Sequence, residues 1–292
     1  MSTETVLKAP PGFTVAQREE FDRQGYVTIE NVLSDEEIER YLEAIERHMS
    51  AESECDRSKT YVRGNIVEDD PVFTELIDHP RHVGFAYDLY GEQLKLQQSH
   101  FFVRPRGGDY NLWHPDGPRA LPYGTFAPDH PLQLRVGYWL TDLPEPKMGN
   151  LVLMPGSHRS QYFDHYDTDA SVPGEDVLCV RRGAMTVVGC NVWHRVEPNE
   201  SETVRKNFFI TYCPSWVCTG DRLLSDPDWL QTIGREQRII MRSYADGYTW
   251  AKPPAEDFPL YLDRDTGQDS DPGLYHERVL LHRRKRRVAH EK

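Results

Sequence analysis

Apolar and polar positions along the chain change period near residue 94. Before it, helical spacing dominates. The run VAQREEFDRQG from Val15 places Val15 and Phe21 on one short amphipathic face, and Gly25 predicts its end. YVTIENVL, from Tyr26, then alternates Tyr26, Thr28 and Glu30 against Val27, Ile29 and Asn31 and predicts a strand. Ser34 with Glu37 three residues on forms a capping box, and Ile38, Tyr41, Leu42, Ile45 and His48 follow at helical spacing. From Leu94 onward the chain breaks into short β-rich runs separated by Gly, Pro, Asn and Asp: LKLQQSHFFVR, LQLRVGYWLTDL, NLVLMPGSH, VLCV, AMTVVGCNVWHRV and KNFFITYCPSWV. That rhythm predicts a β-sandwich or barrel, so the fold class is mainly β with flanking helices. The loops at 117–131 and 159–176 are long for hairpins and read as active-site lids. After Trp216 a mostly helical piece is expected to pack back on the sheet. No repeat or linker interrupts the chain, which reads as a single domain over 1–292: a helical part at about 14–90, a β core at about 94–216 and a helical extension at about 217–292.

Composition narrows the function. With 38% hydrophobic and 28% charged residues, and no apolar run long enough to span a bilayer, a soluble chain is expected. The first residues lack the basic start and apolar core of a secretory signal, so the expected location is cytoplasmic, as a monomer or homodimer. Five cysteines, none in a C-x-x-C pair, fit reduced thiols. A formal net charge of −13 argues against nucleic acid and leaves a small molecule as the expected partner. The basic run HRRKRR, His282 to Arg287, reads as a solvated terminus.

The chemistry concentrates in His114-Pro115-Asp116, answered 80 residues later by His194. Two imidazoles and one carboxylate match an iron facial triad, which occupies one face of an octahedron and leaves three positions for a bidentate keto-acid and dioxygen. Residues i and i+2 at the end of a strand project to the same side, so His114 and Asp116 can share one ion. An H-x-D pair alone is weak among twelve histidines. Arg205 sharpens it: eleven residues beyond His194, at the start of the strand RKNFFITY, its planar fork could hold a carboxylate bidentately. His158 in PGSH and His165 read as structural residues rather than ligands, and Cys190 as a small buried hydrophobe.

Four segments in order carry a family resemblance over most of the chain: FDRQGYVTIENVLSDEEIERYLEAIE, QQSHFFVRPRG leading into WHPD, LVLMPGSHR, and WHRVEPNESETVRKNFFITY. They resemble the phytanoyl-CoA dioxygenase family, which includes the ectoine hydroxylases. The resemblance implies a double-stranded β-helix (a jelly-roll, cupin-like core) with Fe(II) held by His114, Asp116 and His194, and 2-oxoglutarate as co-substrate alongside O2. It also implies that Arg205 grips the distal carboxylate of 2-oxoglutarate, with Gln98, Trp139 and Arg104 near that co-substrate. Two departures stand out: Val196 replaces a Ser common two residues after the distal His, and Ala184 replaces the Asp of a GD turn.

The implied activity is hydroxylation of a small molecule, of a specialised-metabolite or amino-acid-like kind, with release of succinate and CO2. Desaturation, cyclisation and epimerisation begin with the same hydrogen abstraction and stay open. Asp116 stands where the halogenating branch of the family has Gly or Ala, which favours hydroxylation over halogenation. A zinc hydrolase or isomerase on the same barrel, or a non-catalytic binding protein, is the rival reading, but a zinc site has no need of Arg205 and a silent homologue is expected to have lost at least one ligand. Arg119, Tyr123 and Phe126 after the triad, and Arg159 and Tyr162 after PGSH, are candidate substrate contacts because loops at such positions carry specificity.

Overall fold

The computed structural model describes residues 10–116, 130–160, 168–243 and 260–261. The period-two runs become two antiparallel sheets. The strands are β1 (Tyr26–Ile29), β2 (Tyr61–Gly64), β3 (Leu94–Arg104), β4 (Asn111–His114), β5 (Leu134–Trp139), β6 (Leu151–Leu153), β7 (Asp176–Val177), β8 (Met185–Gly189), β9 (His194–Val196) and β10 (Arg205–Pro214). The larger sheet has the order β1-β8-β5-β10-β3-β2 and the smaller β4-β9-β6-β7.

One face of the larger sheet is apolar. Val27, Phe101, Val103, Val136, Tyr138, Met185, Val187, Phe208, Ile210 and Tyr212 are buried in one cluster with residues of the helices α2 (Asp35–Ala51), α3 (Ile66–Asp69), α4 (Pro71–Thr74), α5 (Val83–Tyr90) and α7 (Arg235–Met241). Aromatic contacts dominate it: Phe208 lies 4.8 Å from Tyr41 and 5.0 Å from Tyr138, ring centre to ring centre. α2 starts with the capping box read from the sequence, Ser34 and Glu37 each accepting from the other's backbone N–H.

Alternate residues of the same strands face the other way, and pairing aligns them in rows. Arg205 lies opposite Arg104; Asn207 lies between Phe102 and Trp139; Phe209 between His100 and Gly137; Thr211 between Gln98 and Arg135. A register shift lets this coexist with the core. Thr211 pairs with Gln98 but Tyr212 with Leu96, so Gln97 is skipped and Leu96 joins Phe101 and Val103 in the apolar cluster despite their odd spacing.

Three local expectations are corrected. The first strand stops at Ile29 rather than running through Leu33, because Asn31 takes a left-handed conformation at φ 56° that no extended strand accommodates. In α1 (Val15–Gln24), Val15 is 44% exposed while Phe21 and Arg18 are buried; the Arg18 guanidinium lies against the Phe13 and Phe21 rings. Between residues 217 and 243 the chain is mostly irregular, with only α6 (Pro227–Leu230) and α7 as α-helices. Among the described residues no helix is long and apolar enough to cross a membrane.

Candidate metal centre

His114 ends β4 and His194 begins β9, and the two are direct partners in the antiparallel pair. Their rings stand 4.4 Å apart, centre to centre. Asp116, two residues beyond His114, brings Oδ2 to 3.7 Å from His194 Nε2. One donor atom from each of His114, Asp116 and His194 lies within 4.8 Å of the others, the one such group of His, Cys, Asp and Glu side chains among the described residues.

The orientation of both imidazoles is set by backbone. His114 Nδ1 donates to the Leu112 carbonyl at 2.7 Å and His194 Nδ1 to the Val192 carbonyl at 3.0 Å. A carbonyl can only accept, so each Nδ1 carries a proton, and in the neutral ring the lone pair then lies on Nε2. Burial pushes the His194 ring down to about 4 against the opposing pull of Asp116, so His194 is neutral at neutral pH, as a ligand must be. Two imidazoles and a carboxylate fit a divalent transition metal.

Arg205 is fully buried. Its Nε donates to Asn207 Oδ1 at 3.0 Å, Nη1 donates to the Gly149 carbonyl, and the guanidinium lies 4.8 Å from the centre of the Trp139 ring. No carboxylate faces it among the described residues. Burial, with the neighbouring Arg104 cation, pushes its pKa well down. Arg104 is buried too: it donates to the Asp109 carbonyl, and its Nε has no partner. Asn207 Nδ2 is likewise buried without an acceptor. Trp139 is fully buried, with its indole N–H 3.3 Å from Thr186 Oγ1.

Gln98 is placed differently from the other residues expected at the co-substrate. It lies six residues along β3 from Arg104, roughly 20 Å at strand rise, in the row of Thr211 and Arg135. Arg159 is exposed and donates to the Asp22 carbonyl at 2.7 Å. Arg119, Tyr123, Phe126, Tyr162, His165 and the basic run at 282–287 lie outside the described residues, as do most of both expected lids. His158 makes the expected structural hydrogen bond, to the Asp22 carbonyl at 3.2 Å, and burial lifts the Cys190 thiol to about 12.

The structure adds residues that were not read from the sequence. Arg135 Nη2 lies 2.8 Å from Asp116 Oδ2, and its guanidinium covers the Phe209 ring at 5.2 Å. His100 shares this face, within the electrostatic reach of Asp116 and Arg135. A signal existed: Arg135 precedes Trp139 by four residues in a strand, so the two share a face.

The phytanoyl-CoA dioxygenase family model matches residues 21–207. An ectoine dioxygenase of Nocardia farcinica is 27% identical over 66% of this chain and 75% of its own length. A probable alpha-ketoglutarate-dependent hypophosphite dioxygenase of Stutzerimonas stutzeri is 25% identical over 76% and 87%. Among solved structures, HygX from Streptomyces hygroscopicus with nickel and 2-oxoglutarate bound aligns with a TM-score of 0.63 at 19% identity, covering 75% of this chain and 92% of that one. The carbocyclase SnoK from nogalamycin biosynthesis aligns at 0.56 and 24%, covering 70% and 85%. These likenesses show the jelly-roll fold.

Proposed function

The chain belongs to the phytanoyl-CoA dioxygenase family and is a 2-oxoglutarate-dependent non-haem iron dioxygenase acting on a small molecule; from that premise we propose which of its residues perform the reaction. His114 Nε2, His194 Nε2 and an Asp116 oxygen hold Fe(II). The observation that carries this is the convergence of one donor atom from each of the three side chains to within 4.8 Å, with both imidazoles oriented by Nδ1 hydrogen bonds to the Leu112 and Val192 carbonyls.

When bound, iron(II) with 2-oxoglutarate and O2 supplies the oxidising chemistry, giving succinate, CO2 and a hydroxylated substrate C–H bond. Arg205 binds the distal carboxylate of 2-oxoglutarate, with the Trp139 ring beneath the guanidinium fixing its plane. Asn207 orients Arg205 by accepting from Nε and keeps Nδ2 for the same anion. Arg104, directly opposite Arg205 in the sheet, adds a second positive charge at that end. Desolvation of all three strengthens their hold on a dianion. The whole chain acts as one domain in this reading, consistent with the core cluster that joins the N-terminal helices, the large sheet, α7 and Leu260 and Tyr261.

The test is metal and co-substrate binding without air. The protein takes up one Fe(II) per chain, and 2-oxoglutarate then adds a weak visible charge-transfer band. Stoichiometric zinc with no band after iron and 2-oxoglutarate are supplied overturns the assignment.

A further inference from the structure

The inward face of the large sheet carries more positive charge than the metal and co-substrate account for. Arg104 and Arg205 stand in one row at its end. Arg135, on β5, is in register with Thr211, which stands six residues along β10 from that row and pairs on its other side with Gln98. Among the described residues, the one carboxylate paired with any of these three guanidiniums is Asp116, on Arg135.

Asp116 cannot satisfy Arg135 fully. The ion pair is made through Nη2, and Arg135 Nε is buried with no acceptor. Thr211 Oγ1, in the same row, is also buried with no partner. Buried donors of this kind cost free energy unless a ligand or water meets them, and two side by side point to one missing acceptor. The Phe209 ring under the Arg135 guanidinium holds the fork in plane. Once an ion draws on the Asp116 carboxylate, the charge of Arg135 is left less compensated, beside the metal and away from the Arg205 end.

We propose that Arg135, with Thr211 and Gln98, is the substrate anchor, and that the substrate is a small anion or carries an anionic group, a carboxylate or a phosphorus oxyanion. This rests on the metal assignment given above. It moves Gln98 from the co-substrate to the substrate, in keeping with its distance from Arg104. Arg135 is a specificity-determining residue, accepting the anionic group while the metal faces the C–H bond to be oxidised.

The experiment uses the whole protein loaded with Ni(II), which does not turn over, and saturated with 2-oxoglutarate so that the Arg205 end is filled. Acetate, phosphate and neutral acetamide are titrated calorimetrically. The wild type binds acetate or phosphate with a Kd on the order of 1 mM or tighter and acetamide far more weakly. The stronger of the two anions names the oxyanion type. Arg135→Gln loses about tenfold or more in anion affinity while Ni(II) and 2-oxoglutarate bind as before, and Arg135→Lys falls between. Thr211→Val, nearly the same shape, weakens anion binding several-fold and carries the test should Arg135→Gln fold poorly. The proposal is overturned if neither anion binds the loaded wild type, if acetamide binds equally well, or if Arg135→Gln and Thr211→Val bind anions normally. Loss of Ni(II) from a folded Arg135→Gln assigns Arg135 to holding Asp116 and overturns it too. Failure of the wild type to load Ni(II) and 2-oxoglutarate at all places the fault in the metal assignment and removes the ground of this one.

Discussion

The guanidinium of Arg205 lies 4.8 Å from the centre of the Trp139 ring, both side chains fully buried. A buried cation over an aromatic face keeps part of the stabilisation it lost on leaving water, but not enough to replace an anion. On the proposed role of Arg205 at the co-substrate, the consequences can be measured.

Arg205→Ala raises the KM for 2-oxoglutarate by roughly 30-fold or more and leaves Fe(II) binding almost intact, because truncating one side of a buried charge-assisted pair costs about 2–5 kcal/mol. Arg205→Lys restores the charge but not the fork and falls between. Steady-state kinetics in 2-oxoglutarate, with iron content measured in parallel, decide it; an unchanged KM in the alanine variant removes Arg205 from the co-substrate site.

Trp139→Leu removes the ring beneath the guanidinium while keeping an apolar side chain. The cation–π contribution at a desolvated site is about 1–2 kcal/mol, so the KM for 2-oxoglutarate rises roughly five- to thirtyfold. Trp139→Phe retains most of the wild-type value. Equal effects of the two substitutions would mean that Trp139 acts by volume alone.

Asp116→Ala removes the anionic member of the metal set and also the partner of Arg135. Fe(II) affinity falls by about tenfold to a hundredfold or more, and hydroxylation is lost. Equilibrium dialysis and product assay read the two effects separately. Full metal content with wild-type turnover would show that another residue ligates.

His82 links stability to pH. It is fully buried, with Nδ1 2.7 Å from the Tyr138 hydroxyl and Nε2 near the Tyr212 hydroxyl and the Leu76 carbonyl, and burial pushes its pKa down to about 3 from an ordinary value near 6.5. The unfolded chain therefore takes up a proton that the folded chain refuses. The contribution of His82 is full above pH 6.5 and declines as pH falls toward 3, by up to about 1.4 kcal/mol per unit. Chemical denaturation across that range shows a shallower acid decline in His82→Asn than in the wild type; identical slopes would place the titrating group elsewhere.

The sequence by itself determined the local and short-range facts. Alternation from Leu94 required strands, the Ser34–Glu37 box started α2, and the i, i+2 spacing of His114 and Asp116 placed both on one side of a strand end. The resemblance carried His194 and Arg205, since each sits in a motif contiguous in the chain. What the chain did not disclose was who stands beside whom. Asn31 ended β1 through a single left-handed residue, and Arg18 rather than Val15 turned inward, because burial depends on what packs opposite. Gln98, Thr211 and Arg135 belong to three strands separated by tens of residues, and their alignment depends on β-sheet register. Register is a tertiary quantity: skipping Gln97 reverses which residues of β3 share the face of Arg135 and Thr211, and only the packed sheet, with its apolar face already committed to the helices, selects one alignment over the other.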